Sequence, residues 1–357
     1  MTSKSSNPPS SGDVSAAKTF IIAALVDLLF YAIYRLWVNS SGLLESDDLF
    51  YFELAEASIR GGYSPVLHLA DLNRAIVFII QIIFELFEWN DPSLFVCPGI
   101  VLYWFSTYNL FGRRFSYGFV IPGLLIIYPD LLYVRYHMFK DIIIVSLVAL
   151  FVHFYDQRRF LLAITVALLC APFRFYLFPL IAICVALLNV RRFSLWSMVV
   201  FGFAVLGFYL KIDVVSIVLS TLSKETFGSG GDYTVKRVAE SLGISNPFLL
   251  MPLVALSFFF QPSPGSVIQS NFDQIVPYSF LSTYFLLIPI IIYLIGKRKI
   301  LSIVDFGSVR FVLIFSVLYV ATFAFDPVLA DMRHRVILVL PVIMVYFRVV
   351  SMRGRAR

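Results

Sequence analysis

Charged residues are sparse in this chain, and a few stand where charge is costly. Two adjacent carboxylates, Asp47 and Asp48, follow the first long apolar run. Carboxylates there can act as a general base toward a hydroxyl, or bind a divalent cation. They also suit the N-terminus of a helix, where acids favour the dipole. Arg135 and the pair Lys140-Asp141 lie at a junction between two apolar runs, YVRYHMFKD. The pair reads as a structural ion pair or as a phosphate-facing one. Arg174 stands in APFRFYLFP, far from any other charge. Its fixed fork of donors matches phosphate oxygens, and an interfacial anchor beside Tyr176 is the plainer role. Arg333 and Arg335 flank His334 and open the last apolar run, in DPVLADMRHRVILVLP. Two cations in that place call for an anion, either Asp326 and Asp331 or a bound phosphate. A charge at membrane depth costs about 2.5–3.5 kcal/mol on insertion scales, so each of these residues marks an internal partner or a function.

No P-loop, GxSxG, HExxH or dinucleotide-binding fingerprint occurs. Cys97, Cys170 and Cys184 fall inside apolar runs, which predicts core packing. The four histidines are scattered, so no metal site is expected. The GSGGD stretch at 228–232 sits in a polar segment without a preceding strand and reads as a flexible loop.

The elements that must position these residues are set by hydropathy. The chain has 357 residues, 60% of them hydrophobic and only 14% charged. Soluble domains carry roughly 25% charged residues. Runs near the roughly 20 residues that cross a bilayer recur along the sequence. The expected fold is therefore all-α, a polytopic transmembrane bundle with roughly nine or ten crossings plus re-entrant or interfacial helices. Residues 1–17 read as a disordered tail, 18–351 as one transmembrane domain, and 352–357 as a basic tail. Outer loops are expected near 39–73 and 211–247, the first holding a short amphipathic surface helix. Spans are expected at 18–38, 92–112, 115–134, 139–156, 160–173, 176–190, 193–210, 277–296, 309–325 and 335–350. The short segments 74–89 and 247–262 are expected not to cross.

Net charge is +6, and the basic residues cluster between apolar runs. Arg113-Arg114, Arg158-Arg159, Arg191-Arg192, Lys297-Arg298-Lys299 and the C-terminal arginines all fit one cytoplasmic side. That accounts for the basic balance without nucleic acid as a partner. The costly residues then gather on the opposite, outer face.

In order along the chain stand the acidic pair Asp47-Asp48, Pro129 followed by Lys140-Asp141, Arg174 with Tyr176, Pro262 with Pro264, and Arg333-x-Arg335 before Pro341. This order, over about 44–347, resembles bacterial O-antigen and exopolysaccharide repeat-unit polymerases and the related GT-C-type lipid-carrier-dependent glycosyltransferases. His334 stands where such families often have Tyr or Phe, and the chain lacks the soluble C-terminal domain common in GT-C transferases. Its length favours the polymerase. The resemblance implies transfer of glycan units from polyprenyl pyrophosphate at the outer face of the bacterial inner membrane. Arg174, Arg333 and Arg335, with Lys140 and Arg135, would hold the pyrophosphate, and Asp47 or Asp48 would act on the acceptor hydroxyl. No cofactor is implied; a divalent cation enters only for a GT-C enzyme using a polyprenyl-phosphate sugar. Expected partners are the polyprenyl-linked glycan, membrane lipid and other polysaccharide-assembly membrane proteins. A polysaccharide or lipid transporter is the non-enzymatic alternative.

Overall fold

Long apolar segments satisfy their own backbone polar groups most simply as helices, and every regular element among the described residues is helical. A computed structural model describes residues 11–37, 46–62, 75–87, 91–112, 119–174, 176–189, 268, 275–297, 307–325 and 335–355. The expected span at 193–210, the loop at 211–247, the short segment 247–262 and the Arg333-His334 step lie outside them.

The described helices are α1 (Ser11–Trp37), α2 (Ser46–Arg60), α3 (Ala75–Phe87), α4 (Val96–Thr107), α5 (Val120–Ile127), α6 (Pro129–His137) and α7 (Phe139–Asp156). Then follow α8 (Phe160–Cys170), α9 (Leu177–Asn189), α10 (Ile275–Leu281), α11 (Ile288–Gly296), α12 (Gly307–Phe325) and α13 (Val336–Arg355). A 3-10 turn, Pro92–Phe95, leads into α4, and a π turn, Tyr108–Gly112, ends it. A second π turn, Ser282–Leu287, joins α10 to α11 in one helical run. Among the described residues two stretches, Ser15–Leu36 and Val276–Gly296, are long and apolar enough to cross a membrane. At 13 residues, α3 is about 20 Å long, against a hydrocarbon core of about 30 Å.

Two expectations differ from the structure. Helix α1 begins at Ser11, so residues 11–17 are helical rather than a disordered tail. Thr19 Oγ1 donates to the Ser15 carbonyl at 2.9 Å, a bond of the kind helical Thr makes one turn back. The expected span at 115–134 is not one helix. It breaks at Tyr128, whose φ of −64° and ψ of 115° are extended, and restarts with Pro129 as the first residue of α6. Proline disfavours helical backbone in the residue before it and removes a helical N–H, so both effects end α5 there.

The chain packs as two compact units, residues 1–166 with 350–357, and residues 167–349. In the first, α7 is buried on every side from Ile142 to His153 and packs along α4. The close approach runs through Gly99, where a Cβ would stand 2.8 Å from Ile142 Cγ2. Isoleucine is stiff near the backbone, so Gly99→Ala is expected to cost about 1–3 kcal/mol by overpacking. Thermal unfolding of the purified protein in detergent measures this as a lowered Tm. Helix α1 packs on α4, α5 and the first π turn. Its outer face is apolar and exposed, with Ile21, Leu25, Leu29, Ile33 and Leu36. Its inner face carries Phe20, Ala23, Asp27 and Tyr31, all buried. Leucine outside and aspartate inside inverts the pattern of a soluble surface helix.

In the second unit α9 packs on α12. Phe311, Phe315 and Tyr319 line the buried face of α12 at four-residue steps, with successive ring centroids 5.5 Å apart. Helix α13 is buried or half-buried along its length from Val336 to Val349 despite Pro341 within it. Side chains pin it to two neighbours: Arg335, immediately before it, donates to Ser279 of α10, and Arg348 Nη1 donates to Ser308 Oγ at 2.7 Å.

Candidate functional site

The helix break between α5 and α6 builds the densest polar cluster of the first unit. Pro129 has no N–H, so the Leu125 carbonyl four residues earlier loses its helical donor. The last carbonyls of any helix need outside partners and attract cations. Arg135 meets both needs from the next turn. Its Nη1 donates to the Leu125 carbonyl at 2.8 Å and its Nη2 to the Ile126 carbonyl at 2.8 Å.

The charge this brings into the interior is offset by Asp27 of α1. Arg135 Nε lies 2.8 Å from Asp27 Oδ2, and both side chains have no exposed surface. Trp104 Nε1 donates to the same carboxylate oxygen at 2.8 Å, and the Tyr136 hydroxyl donates to Oδ1 at 2.8 Å. The guanidinium carbon stands 5.0 Å from the Tyr103 ring centroid and 5.9 Å from those of Trp104 and Tyr136. A carboxylate, a cation, two donors and three aromatic faces thus close around a break that the backbone cannot satisfy alone. Sequence reasoning grouped Arg135 with the phosphate-binding residues. Its guanidinium instead faces Asp27 and two carbonyls, sealed from solvent.

Polar groups continue toward the C-terminal end of α1. The Tyr34 hydroxyl lies 3.2 Å from His137 Nε2, and the His137 ring stacks on Tyr133 with centroids 4.5 Å apart. Arg35 pairs with Asp91. Lys140 reaches α2, donating to the Tyr51 hydroxyl at 3.0 Å with its ammonium 4.8 Å from that ring's centroid. Asp141 is buried in the first turn of α7. Asp47 and Asp48 occupy the first turn of α2.

In the second unit Arg174 is half-buried in the connection from α8 to α9, where its Nη1 donates to the Tyr176 hydroxyl at 2.9 Å. The Tyr176 ring lies 6.4 Å from Tyr319 of α12, centroid to centroid. Arg335 is 1% exposed and donates to Ser279. Ser279, Ser282 and Thr283 are all fully buried. Three- and four-residue steps put them on one helix face. The π turn begins at Ser282, and such widenings of an α-helix are frequent at functional sites.

The structure therefore brings together residues that sequence reasoning did not pair. Asp27, Trp104 and Tyr136 were missed in the first unit, and Ser279, Ser282 and Thr283 in the second. The signal for Asp27 was present: a lone carboxylate in the middle of the apolar run 18–38. Comparison with protein-family models, with curated proteins and with solved structures finds no match for the chain.

Proposed function

We propose that the protein is a multi-pass membrane glycosyltransferase of the polymerase type, joining glycan repeat units carried on polyprenyl pyrophosphate at the outer face of a bacterial inner membrane. The membrane part rests on the two long apolar helices and on α1, whose leucines face out and whose aspartate faces in. The observation that carries the chemistry is Arg335, a cation held against the hydroxyl of Ser279 in the interior of an apolar unit. A buried guanidinium of this kind suits a diphosphate leaving group, which gains charge as the glycosidic bond transfers. Arg174, whose Nη1 donates to the Tyr176 hydroxyl, is another cation of that unit and is assigned to the same task. The pyrophosphate bond already drives transfer, so no nucleotide takes part.

Deleting the gene should leave surface glycan at a single repeat unit, and the wild-type gene should restore long chains. Arg174→Ala should restore them poorly, with polymer reduced about tenfold or more, as expected for loss of a charge-assisted bond worth about 1.5–3 kcal/mol. Gel analysis of glycan chain length reads this directly. Long chains in the deletion strain would remove the polymerase reading.

The broken helix α5–α6 favours a second reading, because transporters also place discontinuous helices at their sites. The two separate cleanly. A transporter lacking Arg174 loses the amount of glycan reaching the surface, whereas a polymerase loses its length.

A further inference from the structure

Helix α7 ends in a turn that its own sequence resists. The Arg159 N–H donates to the Phe154 carbonyl at 2.9 Å and the Arg158 N–H to the Tyr155 carbonyl at 3.1 Å. That pair of bonds closes a helix by placing the residue after the cap in the left-handed region, where glycine is usual. Here the residue is Arg158, at φ 57°, and among the described residues it is the one non-glycine with positive φ. In that conformation a Cβ crowds the following carbonyl oxygen, and glycine has none. The chain does use glycine in the matching place after α2, where Gly62 has φ 68° and donates to the Ile59 carbonyl at 3.1 Å. Glycine would make the α7 turn more easily, so the arginine there is explained by its side chain.

Arg158 and Arg159 are both exposed. Among the described residues neither guanidinium has an ion-pair or hydrogen-bond partner, and Asp156, half-buried at the end of α7, pairs with neither. Directly after them α8 exposes Phe160, Leu161 and Ile164. Three- and four-residue steps put these on one helix face. Two unpaired cations at the end of an exposed apolar face complement an amphiphile with an anionic head and an apolar tail. Guanidinium forks match phosphate oxygens, and the face of α8 matches acyl chains.

We propose that the Arg158-Arg159 turn, with the adjoining face of α8, is a docking surface for a phospholipid with a net anionic headgroup. The positive-inside bias accounts for basic residues in this turn, but a cation at any neighbouring position would satisfy it. It does not account for an arginine in the one position that favours glycine. The surface is independent of the glycan chemistry assigned to the arginines of the second unit.

The test uses the full-length protein in non-ionic detergent with three probes: dioctanoyl phosphatidylglycerol, dioctanoyl phosphatidylcholine and glycerol phosphate. Native mass spectrometry measures binding, and Tm is read without added lipid. Wild-type protein should bind phosphatidylglycerol about tenfold or more tightly than either other probe. Arg158→Gly should melt about 1–3 °C above wild type, because the strain is gone. It should nonetheless bind phosphatidylglycerol about fivefold more weakly. A purely structural role would not move those two readouts in opposite directions. Arg158→Gly with Arg159→Gln should weaken phosphatidylglycerol roughly 25-fold and leave phosphatidylcholine unchanged. Arg191→Gln with Arg192→Gln, a second basic pair in the sequence, should bind as wild type does. Unchanged phosphatidylglycerol affinity in the Arg158, Arg159 double variant overturns the surface. So does an equal loss of phosphatidylcholine, which reports repacking, or an equal loss in the Arg191, Arg192 variant, which reports net charge alone. Wild-type protein that does not prefer phosphatidylglycerol, or an Arg158→Gly protein that melts below wild type, overturns it as well.

Discussion

Asp27→Ala is expected to destabilise the first unit by about 3–5 kcal/mol, because it strands the Arg135 cation in the interior. Whole-domain stabilities are about 5–15 kcal/mol, so the variant should accumulate poorly in membranes and melt well below wild type. Trp104 Nε1 and the Tyr136 hydroxyl would lose their acceptor at the same time. Asp27→Asn keeps an acceptor oxygen while removing the charge, and should fall between the two. Arg135→Met strands the carboxylate instead and leaves the Leu125 and Ile126 carbonyls without their donors. Removing both charges, with Asp27→Leu and Arg135→Met together, should cost much less than the sum of the single losses. A residue of about 1–3 kcal/mol should persist for the bare carbonyls. Pro129→Ala in that background returns an N–H to the Leu125 carbonyl and should recover part of it. Thermal unfolding of the detergent-purified variants gives the whole cycle. An Asp27→Ala protein that melts with wild type would show that the pair does not hold the break.

That cluster also marks where the sequence was legible and where it was not. Apolar length alone located α1, α7, α9, α12 and the α10–α11 run, because a segment of that kind has few ways to satisfy its backbone. Helical spacing within the 39–73 segment located α2. Pro129 was visible, yet the span around it read as continuous, since hydropathy averages over a break that costs no apolar residue. Arg135 was correctly singled out as costly, but its partner lies 108 positions earlier in the chain (135 − 27). No local pattern links the two, so a phosphate stood in for a carboxylate that only tertiary structure supplies. The hydroxyls of Ser282 and Thr283 were hidden for a different reason. Serine and threonine are common in apolar helices because they can bond back to the helix itself, and only the π turn distinguishes these two.

Arg335→Ala should reduce polymer formation by about 100-fold or more in a reconstituted assay with lipid-linked repeat units, the scale of losing one preorganised group that stabilises developing charge. The comparison with Arg135 sharpens this expectation. Both guanidiniums are buried, Arg135 against a carboxylate and two helix-end carbonyls and Arg335 against Ser279. On the proposed function, loss of Arg135 should appear in Tm, and loss of Arg335 in turnover. Arg335→Lys keeps the charge but not the planar fork, and should retain part of the activity, falling roughly tenfold. If the guanidinium acts on the leaving group as it departs, kcat and kcat/KM should fall together; if it only anchors the donor, KM should rise with kcat unchanged. Ser279→Ala removes the group that orients the guanidinium and should produce a smaller loss of the same kind. Folded Arg335→Ala protein that polymerises at the wild-type rate would leave the buried cation as a packing device and end its assignment to pyrophosphate.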